Sequence, residues 1–155
     1  MMNDTRISKT NKIWCWLSKK YLIIIIFVLL LYLSGAFLAS VFMKIGWDYV
    51  ANPIYYFYSH CHQLAFRSWF LFGEQAFYPR SLANIQGIKT YEEILGNEDL
   101  DLGIARKFVG NQKLGFKVAL CQRDVAIYSS LLLAAIMFWL SGRRIKPIPW
   151  YSLII

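Results

Sequence analysis

The stretch YLIIIIFVLLLYLSGAFLASVFM, residues 21–43, decides the fold: it runs 23 residues without a charged side chain. A helix needs about 20 such residues to cross the hydrocarbon core of a bilayer. Ile23, Ile24, Ile25 and Ile26 form a β-branched run that lowers helix propensity in water. In lipid the helix is enforced, because every backbone N–H and C=O must find a partner within the segment. A signal peptide is the competing reading. A basic segment precedes the run, and Ser34-Gly35-Ala36 is a passable small-residue cleavage site after a 13-residue apolar stretch. The run continues through Phe37, Leu38, Val41 and Phe42, which a cleaved signal does not need. It reads as a retained anchor.

Charge supports the same reading. The chain has 155 residues with a net charge of +8, which on its own admits nucleic acid as a partner. Its distribution argues otherwise. Arg6, Lys9, Lys12, Lys19 and Lys20 precede the first apolar run, and Arg143, Arg144 and Lys146 follow the second. Between Lys44 and Lys117, eight basic residues face seven acidic ones, which leaves that segment nearly neutral. Positive charge flanking apolar runs marks membrane orientation, whereas a nucleic-acid footprint gathers it on one folded face. Only 17% of residues are charged and 57% are hydrophobic, against roughly a quarter charged in a soluble domain. The partners this implies are membrane lipids, a second copy of the chain or other membrane subunits, and no nucleic acid.

The second apolar run extends from about Leu114 to Leu140. Its charge-free part, Val125 to Leu140, has 16 residues, so a spanning helix over 114–140 must also use FKVALCQRD (116–124). Because Lys/Arg-rich segments stay in the cytoplasm, the N-terminus (1–20) and the basic stop at 141–155 both lie there. Residues 44–113 then face outward. The predicted architecture is an all-α, multi-pass protein of the cell membrane. It has two transmembrane helices (21–43 and 114–140), an interfacial amphipathic helix over 54–72, and a short extracytoplasmic insertion. The tail PIPWYSLII (147–155) reads as an interfacial anchor or as the start of a truncated third span. Residues 54–72, IYYFYSHCHQLAFRSWFLF, carry Tyr55, Tyr56, Phe57, Tyr58, Phe66, Trp69, Phe70 and Phe72, rings that suit the headgroup layer. Further on, Thr90-Tyr91-Glu92-Glu93 has the form of a capping box opening a short helix, with Gly96-Asn97 as its stop. The acidic NEDLDLG (97–103) lacks the ligand spacing of a calcium loop and reads as a solvated turn.

Three cysteines sort by side. Cys15 lies on the cytoplasmic flank, a reduced bystander or an acylation site. Cys61 and Cys121 both lie outside, where disulfides persist. A disulfide between them would close a loop of about sixty residues and stabilise the fold by a few kcal/mol. Asp124 is costly near hydrocarbon unless paired, and Arg67 or Arg123 can neutralise it. A sharper reading gathers Cys61, His62 (or His60), Cys121 and Asp124 into an S, N, S, O set of the kind a divalent metal such as zinc accepts. His60 and His62 stand two residues apart, so on a helix they cannot both face one site. No CxxC, HExxH, GxSxG or Gly-rich phosphate loop occurs, so nothing marks an enzyme.

CHQLAFRSWFLFG (61–73) followed by CQRDVAIY (121–128) resembles a family of small bacterial and archaeal integral-membrane proteins known only as a domain of unknown function. The family pattern is Cys-His-Gln, then Arg-Ser-Phe, a glycine, Cys-x-Arg-Cys and a tyrosine opening a span. The matching positions are Cys61, His62, Gln63, Arg67, Ser68, Trp69, Gly73, Cys121, Arg123 and Tyr128, so the resemblance covers about residues 55–140. It departs where Asp124 replaces the second cysteine of Cys-x-Arg-Cys, and in a longer joining segment. It implies membrane architecture and a cell-surface placement, with no activity. Function then divides three ways. The two motifs form a structural clasp of disulfide and ion pair, a metal or thiol-redox site, or a binding site in a small-solute transporter.

Overall fold

A computed structural model describes residues 9–96 and 101–144. The tail beyond Arg144, with the expectation of a third span, lies outside the described residues, as do residues 97–100 of the acidic stretch. Helix α1 covers Lys9–Ile45 and helix α5 covers Gln122–Leu140. Both are long and apolar enough to cross a membrane. At 1.5 Å per residue the 19 residues of α5 reach roughly 28 Å, close to the ~30 Å of a hydrocarbon core. No residue of α5 is buried, and α1 exposes Ile23, Ile25, Phe27, Val28 and Leu31. Apolar surface on that scale is unfavourable in water.

The chain divides into two units. Among the described residues, the first joins 9–30 with 130–144. There the Arg143 guanidinium donates to the Lys19 carbonyl and lies 5.3 Å from the centre of the Tyr21 ring. The second unit, Leu31–Ser129, contains everything in the two cysteine motifs.

In the second unit the all-α expectation is corrected. Helix α2 (Asp48–Phe57) is followed by a strand β1 (Ser68–Leu71), short helices α3 (Tyr91–Leu95) and α4 (Leu102–Lys107), and strands β2 (Gly110–Asn111) and β3 (Gly115–Cys121). The strands form an antiparallel sheet in the order β1-β3-β2, with Ser68 opposite Cys121 and Phe70 opposite Lys117. The second apolar run is therefore two elements, a strand over 115–121 and a helix from Gln122, and not one helix from Leu114. Every residue of β3 is buried. A strand buried on both faces shows no polar alternation, and its sequence cannot be told from a helix by periodicity.

The interfacial helix expected over 54–72 is likewise replaced. Only its first residues are helical. Beyond Phe57 the chain makes two 3-10 turns, Tyr58–His60 and Ala65–Arg67, and between them at Gln63 it takes a left-handed backbone, φ +49°, which no α-helix tolerates. Ser68–Leu71 then alternates buried and exposed residues, as a strand with one face on a core does. That core gathers Ala65, Phe70, Tyr78, Tyr91, Ala105 and Leu114. Tyr91 opens α3, and the capping box that the sequence announces is present: Thr90 Oγ1 accepts from the Glu93 N–H, and Glu93 accepts from the Thr90 N–H.

Two close approaches hold the unit together. A Cβ on Gly73 would sit 2.1 Å from the Leu114 carbonyl oxygen, so only glycine lets that segment pass the start of β3. On α1, a Cβ on Gly35 would meet the Tyr58 hydroxyl at 2.6 Å. That hydroxyl donates to the Tyr32 carbonyl. Of the small residues that resembled a cleavage site, Gly35 and Ala36 thus belong to a packing stripe, with Ala36, Ala39 and Ser40 fully buried, while Ser34 is exposed.

Candidate metal centre

The site grows from one edge of β3. Residues 117, 119 and 121 direct their backbone groups to that edge, as every second residue of a strand must. The short β2 does not reach them. The Lys117 N–H donates to the Val109 carbonyl, and the Lys117 carbonyl accepts from Ser40 Oγ (2.9 Å) and from the Tyr55 hydroxyl. Two residues further on, the Ala119 carbonyl accepts from Gln63 Nε2 at 3.0 Å, and the same amide donates to the Tyr55 carbonyl at 2.9 Å. At the end of the strand the Cys121 N–H donates to the Cys61 sulfur at 3.4 Å. The Cys-His-Gln segment thus lies along the strand edge and completes it with side chains. Cys61 has an extended backbone, and the left-handed turn at Gln63 lets its amide reach the same strand edge. Cys61 and Gln63 face the strand, and His62 between them is exposed.

Asp124 approaches from the other direction, in the first turn of α5, where a carboxylate is favoured by the helix dipole. Its carboxylate faces the Cys61 and Cys121 sulfurs. One ligand atom from each of Cys61, Cys121 and Asp124 lies within 4.8 Å of the others. Both cysteines are buried free thiols. Zinc binds thiolate at about 2.3 Å and carboxylate at about 2.1 Å, which sets ligand atoms of one tetrahedron roughly 3.6–3.8 Å apart. Side-chain adjustments of about an ångström bring these three to that spacing. Burial, and then the hydrogen bond to the Asp124 carboxylate, push the Cys61 thiol up to about 11. It is therefore protonated at neutral pH, which makes it a poor nucleophile.

The remaining motif residues divide into neighbours and supports. A cavity of about 300 Å³ opens beside Cys121 and is lined by His62, Arg67, Gln122 and Arg123. His62 therefore borders the site without joining the three clustered ligands, and His60, also exposed, turns back to the Phe57 carbonyl. The expected ion pair does not tie two segments together. Asp124 pairs with its own neighbour Arg123, 3.5 Å away and largely exposed, while Arg67 lies 5.9 Å from the centre of the Phe66 ring. Ser68 is buried and bonds the Leu64 carbonyl. Tyr128 packs edge-on against Tyr32. Cys15 is exposed on α1.

Sequence reasoning missed Lys117. Only 1% exposed, its ammonium donates to the Gln63 carbonyl at 2.8 Å and the Arg106 carbonyl at 2.7 Å. It fastens the Cys-His-Gln segment from behind. The only signal was a single lysine within an apolar run, LGFKVALC. Set against known protein families, curated proteins and solved structures, the chain matches none of them.

Proposed function

We propose that the chain is an integral membrane protein, with its N-terminus in the cytoplasm, whose outward unit binds a soft divalent cation of the zinc type through Cys61, Cys121 and Asp124. One observation carries this reading: the carboxylate of Asp124 is turned onto two buried sulfurs. A disulfide clasp gives that carboxylate no task, and pairing with Arg123 ties together no separate segments. A cation satisfies all three donors, and the open cavity leaves a fourth position for His62, water or an exogenous ligand. The positive flanks of both apolar runs support the orientation.

The clasp is the second reading, favoured by two sulfurs brought together from positions sixty residues apart. Cobalt(II) titration of the reduced, purified chain separates the two. Thiolate charge-transfer absorption that saturates at one ion per chain, and is lost in Asp124→Ala and in Cys61→Ser, supports the metal site. Absence of saturable absorption in the reduced wild type refutes it.

A further inference from the structure

A second cavity, of about 340 Å³, lies on the opposite side of the Cys-His-Gln segment, between α2 and the end of α4. Its lining includes Tyr56, Ser59, Arg106, Lys107 and the buried Lys117, and no carboxylate. We propose that this cavity binds a phosphate-type anion, the chemistry of an anionic lipid headgroup or of free phosphate.

Three cations converge here without a counter-charge. Among the described residues, none of Arg106, Lys107 and Lys117 takes part in an ion pair. Lys117 is held by neutral carbonyls alone, and a buried ammonium is expensive without an opposite charge nearby. Burial draws it down to about 8, the charge of Cys61 opposes that, and the Arg106 charge lowers it further. Basic residues at the end of α4 have an ordinary role in complementing its last carbonyls, and the Arg106 guanidinium donates to the Ser59 carbonyl, but neither accounts for a lysine buried beneath them. An anion seated over the three would neutralise them together.

The position of the cavity suits a headgroup. Helix α2 begins three residues after α1 ends at Ile45. Trp47, Tyr49, Tyr56 and Phe57 are all exposed along it, Tyr56 by 81%. Amphipathic rings concentrate at the membrane–water interface, and Tyr56 belongs both to that exposed set and to the cavity wall. The site is independent of the metal reading. Only the lipid source depends on α1 spanning a membrane.

The test uses the full chain in a neutral detergent, titrated with short-chain phosphatidylglycerol, short-chain phosphatidylcholine or inorganic phosphate, with the thermal unfolding midpoint as readout. Phosphatidylglycerol is expected to stabilise saturably. Phosphatidylcholine is expected to have little effect, because its choline is repelled by the cations. Each basic residue near a charged headgroup strengthens binding about fivefold, so Arg106→Gln with Lys107→Gln should weaken it on the order of 25-fold. Lys107→Gln alone, at an exposed ammonium without a partner among the described residues, should weaken it about fivefold and guards against a folding defect. Stabilisation by phosphatidylglycerol well beyond phosphate assigns a lipid, and equal stabilisation assigns a soluble phosphate; either supports the site. The proposal is overturned if no anion stabilises saturably, or if the double variant binds as tightly as wild type. Asp124→Asn should leave the anion affinity unchanged, which separates this site from the metal centre.

Discussion

Replacing Gln63 by methionine keeps the length of the side chain and removes its amide. The amide donates to two buried carbonyls, those of Tyr55 at 2.9 Å and Ala119 at 3.0 Å. No strand is available to take them over, because β2 ends before this part of β3. Leaving a buried acceptor unsatisfied costs about 1–3 kcal/mol, so the pair predicts a loss of roughly 2–4 kcal/mol, allowing that the two share one donor group. The same segment carries Cys61, so the loss should be felt as easier opening of the thiol pair. Cys61 is buried, and its alkylation requires that opening. If opening is fast relative to alkylation, the rate follows the opening equilibrium, and 2–4 kcal/mol corresponds to a rise of roughly 30- to 900-fold. The assay is alkylation of reduced protein at fixed pH in mild detergent, with Cys15 replaced so that only the motif thiols report, and thermal unfolding alongside. A Gln63→Met variant whose Cys61 reacts within threefold of wild type, at an unchanged unfolding midpoint, would refute the assignment of Gln63 as the donor that completes the strand edge.

Other expectations follow from the same geometry. Gly73→Ala should destabilise by about 3 kcal/mol in thermal or denaturant unfolding, because the new methyl meets backbone that cannot rotate away. Arg123→Gln should change stability by less than about 0.5 kcal/mol, since its pair with Asp124 is exposed and local. Metal affinity should rise about tenfold per pH unit below pH 11 for the proton that Cys61 must release, checked by competition titration at several pH values. Lys117 is drawn down to about 8 from an unfolded value of 10.5, so between those values the unfolded chain binds more protons. The stability of wild type relative to Lys117→Met should therefore be flat below pH 8 and rise by about 1.4 kcal/mol per pH unit up to about pH 10.5. A flat difference across that window would contradict the burial of the ammonium.

The parts of this fold that were legible in the sequence are those where one local rule decides. An uncharged run of spanning length gives α1, and Thr90 with Glu93 three residues later gives the start of α3. The meeting of Cys61 with Cys121 and Asp124 follows from placing both motifs at one end of the second apolar run. The parts that were not legible depend on tertiary contact. Gly115–Cys121 has no alternation because both of its faces are covered, so the run reads as helix. Gln63 leaves the helical region because its side chain gains two buried acceptors, a gain invisible until β3 is beside it. His62 was grouped with Cys61 as its neighbour, whereas the fold buries Cys61 and Gln63 and leaves His62 between them exposed. Lys117 carried no motif at all, and its role appears only when the Gln63 and Arg106 carbonyls converge on it.

The central claim, that the two thiols and the carboxylate hold a cation, is tested most directly by thiol labelling of the purified chain with elemental analysis. Labelling is compared before and after reductant, and before and after a chelator. A metal centre predicts that chelator alone exposes Cys61 and Cys121 and releases about one equivalent of metal. Thiols that react only after reductant, in protein that carries no metal, would contradict it and leave a disulfide clasp in its place.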